Sequence, residues 1–208
     1  MQVTSTMMMM AMACGLAVMA RAQDRMPPIP ADKMTEVQRQ AVAEFKAARA
    51  VDPGGPFIPL LRSPELMNRA RALGDYLRYK SALPPRLSEF VILLAARRWT
   101  QQYEWDAHRP LALKGGLSPD IVSAIADGRR PLRMADDEAI VYTLCEELQR
   151  NQSVSDETYA SALATLGDRG VIDTLGLTGY YTMLAMVMNT ARTPLPAGVK
   201  PALTPFPR

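Results

Sequence analysis

The stretch Leu87-Ser88-Glu89-Phe90-Val91-Ile92-Leu93-Leu94-Ala95-Ala96-Arg97-Arg98-Trp99 decides the fold. Its apolar run, Phe90 to Ala96, shows no polar alternation and leaves charge only at its ends, Glu89 on one side and Arg97-Arg98 on the other, which is the pattern of a buried helix. Pro84-Pro85 ends the preceding turn, and helix signals recur on both sides. Upstream, Thr35 with Gln38 three residues on predicts a capping-box start, followed by Val37, Ala41, Phe45 and Ala48 at helical spacing. Asp52 to Pro56 must break that helix, and Phe57 to Leu61 is expected to be a short apolar connector. Ser63-Pro64-Glu65 starts another helix, with Leu66, Ala70, Leu73 and Leu77 expected inward.

Downstream, Gln101 to Lys114 is expected to be helical, with a left-handed stop at Gly115-Gly116. Ser118-Pro119-Asp120 opens a short helix that Gly128 and Pro131 end. Asp136 to Arg150 is amphipathic, Ser155-Asp156-Glu157 opens the next helix, and Val171 to Asn189 forms a last apolar one, whose Gly176 and Gly179 suit close helix packing. No alternating strand is found, so the fold class is all-α.

The chain has 208 residues and 48% apolar content, enough for one compact core. Residues 1–22 are expected to be a signal peptide: Met7 to Met19 are almost all apolar, and Ala20-Arg21-Ala22 offers a small-x-small cleavage pattern before Gln23. That apolar run is shorter than the ~20 residues of a membrane span, so the expectation is a periplasmic or secreted protein with no stable membrane span. Residues 23–192 then form the helical domain, and 193–208 a tail whose five prolines exclude a helix, leaving it disordered or laid on a surface as a strap. Cleavage there would remove Arg21 and Cys14, leaving 23 basic residues against 21 acidic, a net +2 that makes no nucleic-acid footprint, and Cys145 without an intrachain disulfide partner.

His108 is the single histidine in the chain, and Glu104 lies one helical turn before it. At 3.6 residues per turn the two are roughly 40° apart, with Gln101 roughly 20° from His108, so all three share a face. Imidazole ordinarily titrates near pH ~6.5, which suits proton transfer beside a carboxylate. The same spacing is also that of an ordinary surface pair worth about 0.3–0.5 kcal/mol. One histidine without a thiol cluster predicts no metal.

The chain resembles the carboxymuconolactone decarboxylase and alkylhydroperoxidase D-like family. The resemblance rests on Gly55-Pro56-Phe57, Leu60 to Leu66, Leu83 to Leu93, Tyr103 to His108 and Gly116-Leu117-Ser118. It implies an alkylhydroperoxidase D-like helical bundle, a homo-oligomer built on trimers, and a small-molecule substrate. The peroxidase branch of that family uses a glutamate, two cysteines separated by two residues, and a histidine four residues after the second; the matching spacing here runs through Glu89, Gln101, Glu104 and His108. Both thiol positions are thus replaced, and peroxide reduction cannot run through them. The decarboxylase branch implies cofactor-independent acid–base chemistry on a small carboxylated lactone, a lyase or isomerase reaction with His108, Glu104 and Glu89 as catalytic residues. Arg86, Arg97 and Arg98 are candidates to clamp a carboxylate, with Gln101 and Trp105 on the substrate side. Two other readings compete: a catalytically silent oligomeric binding protein, and a peroxidase relying on Cys145, a residue expected to be buried on the stripe with Leu144 and Leu148.

Overall fold

The computed structural model describes residues 24–205, so the leader expected over 1–22 lies outside the described residues. The chain is helical and without strands across them: α1 (Glu36–Arg49), α2 (Phe57–Leu60), α3 (Pro64–Tyr79), α4 (Pro85–Arg98), α5 (Gln102–Lys114), α6 (Pro119–Ala126), α7 (Asp136–Asn151) and α8 (Asp156–Ala191), with a 3-10 turn at Ala31–Lys33.

Helix α4 is the hub. Pro84 is extended and Pro85 occupies the first turn, where its missing N–H costs nothing. From Leu87 to Arg97 every residue is buried, as the apolar run requires of a helix contacted on several sides by α3, α5, α6, α7 and α8. Thr35 and Gln38 cap each other's backbone at the start of α1 as predicted. The expected connector at Phe57 closes into the single turn α2, because Leu60 and Leu61 donate back to Pro56 and Phe57.

On α3 the inward face is displaced from the expected one. Met67, Ala70, Gly74 and Leu77 are buried, whereas Leu66 and Leu73 are 44% and 47% exposed. Gly74 explains the shift: a Cβ there would lie 2.3 Å from the Tyr180 hydroxyl, so this face is where α8 comes closest. Gly176 likewise meets Leu77, at 3.0 Å from a built Cβ, while Gly179 has open space around it and serves no such contact.

The last two expected helices run together as α8 and are separated by a break at Gly167, whose φ of 67° and ψ of 170° are non-helical. By length and composition α8 could cross a membrane, but 56% of its apolar window is buried inside the fold, as in the core helix of a bundle. Beyond α8 the prolyl tail is laid on the surface as a strap through 205. Gln102 accepts from the backbone of Ala202 and Leu203 and donates to Leu203, Arg97 donates to the Thr204 carbonyl at 2.7 Å, and the Leu203 side chain is buried.

Candidate active site

Helix α5 carries the central pair. Thr100 turns the chain with a left-handed φ of 48°, and the Gln101 side chain then caps α5 by accepting from Tyr103 N at 2.7 Å. Its amide nitrogen donates to Asn189 on α8 at 2.8 Å. Gln101 is therefore a cap that ties α5 to α8, and it does not line the cavity. One turn further on, Glu104 and His108 face the same side, toward α4 and α8.

His108 Nδ1 lies 2.7 Å from Glu89 Oε2, both residues being buried. Glu89 projects from the buried helix α4 and stands behind the ring, so a carboxylate there holds the proton on Nδ1 and leaves Nε2 on the opposite edge as the acceptor. The Tyr181 ring meets the imidazole edge-on with centroids 5.1 Å apart and fixes its plane. The orienting partner of His108 is thus Glu89, not Glu104.

Glu104 is 3% exposed, and neither carboxyl oxygen has a hydrogen-bond partner among the described residues. Burial pushes its carboxyl well above the usual carboxylate range, which favours the neutral acid. Glu104 and His108 line a cavity of about 140 Å3 together with Arg49, Arg78, Tyr103, Tyr180 and Tyr181. Burial also pushes the Tyr180 phenol up to about 12 and the Tyr181 phenol further in the same direction, so both rings stay neutral.

Two cations on this wall escape sequence reasoning. Arg49, at the end of α1, sits against the touching Phe45 and Phe57 rings, at 5.2 and 4.9 Å from their centroids, and bonds Asp75 at 2.7 Å. Asp75 also binds Arg71. Arg78, in the last turn of α3, brings Nη2 to 4.0 Å from Glu89, and its buried Nε has no partner among the described residues. Both stand in charged helix ends that look like solvated faces; the one available signal was Phe45, one turn before Arg49.

The arginines expected as a clamp lie elsewhere. Arg86 is consumed by α7, where it binds Asp137 at 2.6 Å and also Glu138. Arg97 holds the strap, and Arg98 donates to the Gln149 carbonyl. A buried helix such as α4 sends its end residues outward in different directions, and these three follow that geometry away from the cavity. Trp105 is 1% exposed and belongs to the core. A larger groove of about 350 Å3 lies between α7 and the start of α8, where Glu147, Ser155 and Thr158 already satisfy one another as a helix cap.

Cys145 is fully buried on α7, with Sγ 3.5 Å from Thr178 Oγ1, and burial pushes its thiol up to about 12. It does not line the cavity and is a poor nucleophile.

Fold and site together define an all-α protein built around a buried imidazole–carboxyl cavity that, among the described residues, no thiol lines. Residues 64–138, a segment that contains Glu89, Gln101, Glu104 and His108, match the model of the Carboxymuconolactone decarboxylase family. The fold is alkylhydroperoxidase D-like: a crystal structure from Ralstonia eutropha JMP134, an uncharacterized peroxidase-related protein described as an alkylhydroperoxidase AhpD core, superposes with a TM-score of 0.64 at 15% identity, covering 80% of this chain and 88% of the other. No curated protein matches the chain.

Proposed function

We propose that this chain is an exported, thiol-independent acid–base enzyme, a lyase or isomerase acting on a small lactone or related compound that carries a carboxylate. The observation that carries the reading is Glu104: a carboxyl group buried without a partner on the wall of a cavity it shares with His108. A buried polar group left unsatisfied costs about 1–3 kcal/mol, a burden that is retained where the group has work to do.

Loss of carbon dioxide from such a lactone leaves the bonding electron pair conjugated with the ring carbonyl, where negative charge builds on oxygen. Glu104, holding its proton, stabilises that oxygen by donating to it. In the decarboxylation His108 first takes up a proton from solvent on Nε2, with Glu89 behind the ring, and gives it to ring carbon as carbon dioxide leaves; in an isomerisation neutral Nε2 takes a proton from one ring carbon and returns it to another, with no net proton uptake. Arg78 attracts the substrate carboxylate, with Arg49 beside it held to Asp75, the role that Arg86, Arg97 and Arg98 are placed too far round the bundle to fill. Cys145 supports no peroxidase reading, being buried and away from the cavity.

Export rests on the sequence of 1–22, and the N-terminal mass of the secreted protein is expected to begin at Gln23. A homo-oligomer is supported by the apolar groove of Met26, Leu60, Met186 and Val187. The decisive test is His108→Gln beside His108→Ala, following lactone loss and carbon dioxide release. Turnover is expected to fall by about 10²–10⁴-fold with binding largely kept. A wild-type protein that binds lactones without consuming them would leave only the silent binding protein.

A further inference from the structure

Among the described residues, the charges on the cavity wall and in the ion pairs directly behind it do not cancel. Arg49 and Arg78 line the cavity, and Arg71, Asp75 and Glu89 stand behind them: Arg49 and Arg71 share Asp75 at 2.7 and 2.8 Å, and Arg78 is left with Glu89 at 4.0 Å, an acid already engaged by His108 at 2.7 Å. Glu104 contributes no charge as the neutral acid, since both oxygens are buried and no donor among the described residues supports an anion there. Tyr103, Tyr180 and Tyr181 complete the wall. With the His108 ring in the neutral form that can accept a proton, three cations stand against two anions. One positive charge is left over, and it falls on Arg78: Arg71 and Arg78 each keep a buried Nε without a partner among the described residues, but Arg71 is paired with Asp75 at 2.8 Å, whereas Arg78 lines the cavity and has its nearest acid at 4.0 Å.

Size sets a second limit. The cavity holds about 140 Å3, close to the engineered cavity of about 150 Å3 that admits one benzene ring.

We infer that the site takes a monoanion: a single small ring or short unsaturated chain carrying one carboxylate, held against Arg78. This rests on the acid–base reading only in taking the cavity as the substrate site. A second carboxylate on the ligand would enter a desolvated space with no cation left to meet it, and an uncharged ligand would leave Arg78 uncompensated.

The test is calorimetric binding at pH 8 to the mature protein, using 2-furoate, fumarate and 2-furamide, three probes of equal non-hydrogen atom count that carry one, two and no negative charges. Furoate is expected to bind at least tenfold tighter than either of the others. Arg78→Gln should erase the advantage of furoate over furamide. Glu89→Gln, which raises the surplus to two, should shrink the advantage of furoate over fumarate at least fivefold. Glu104→Gln should preserve the ranking, because it leaves the charge count unchanged. Fumarate binding as tightly as furoate to the wild type, furamide matching furoate, or no binding by either anion would each overturn the inference. The comparison among probes on the wild type stands even where a variant fails to fold. Failure of the acid–base reading shows separately, as lactone turnover indifferent to His108 and Glu104 while the charge ranking holds. Failure of the charge inference alone leaves His108-dependent turnover intact with the ranking lost.

Discussion

Replacing Glu104 by glutamine should stabilise the fold, and by an amount that grows with pH. The wild-type carboxyl is buried, has no hydrogen-bond partner, and is held well above its ordinary 4.5 by burial. A carboxyl whose folded-state pKa is raised binds its proton more tightly in the folded than in the unfolded chain, so its contribution to stability is greatest below the usual carboxylate range. That contribution declines as pH climbs above about 4.5, because the unfolded chain ionises while the folded one does not, and it levels off only when the folded carboxyl ionises as well. Within this window one proton separates the two states, which corresponds to a slope of about 1.4 kcal/mol per pH unit. Glutamine has the same shape and does not titrate. The stability difference between Glu104→Gln and the wild type, from urea denaturation at pH 5, 6 and 7, should therefore rise by about that increment per step until it reaches a plateau. The His108–Glu89 pair is common to both proteins and cancels to first order in the difference. A difference independent of pH, or one that falls as pH rises, would refute a neutral buried acid at this position, and with it the proton donor of the proposed chemistry.

The thiol of Cys145 should resist a disulfide-exchange reagent at pH 8 in the folded protein and react once the chain is unfolded; rapid reaction in the native state would contradict its burial. The same titration under denaturing conditions counts thiols, one for a chain processed before Gln23 and two where Cys14 is retained. Gln102→Ala removes the three hydrogen bonds that hold Ala202 and Leu203, and should cost about 1–2 kcal/mol in urea denaturation. Faster amide exchange at Leu203 should accompany the loss, and unchanged protection there would mean that the burial of Leu203 alone secures the strap.

The helical class and most helix starts were legible because they follow from local rules. Thr35 with Gln38, proline at the first turns of α3, α4 and α6, and the glycine stops act over four or five residues, a distance that the sequence itself specifies. The pairing of His108 with Glu89 was reachable only through the family spacing, since the two residues lie on different helices. The tail was left open between disorder and a strap, because a proline-rich segment has no intrinsic conformation that says whether a surface will hold it; Gln102 and Arg97 supply that surface from elsewhere in the chain.

What the sequence determined by itself is therefore the helical class with most helix starts, the absence of thiols at Gln101 and Glu104, and a carboxylate one turn before the single imidazole. What only the tertiary structure decided is which charges meet. Arg86, Arg97 and Arg98 sit within about a dozen residues of Glu89 along the chain yet are drawn off to α7, the strap and a carbonyl, while Arg49 and Arg78 arrive from α1 and α3. The physical reason is that a helix fixes the direction of each side chain around its axis but not what stands opposite, and the crossing of α3, α4, α5 and α8 settles that. The same crossing seals Glu104 from water, turning an ordinary surface acid into a buried one.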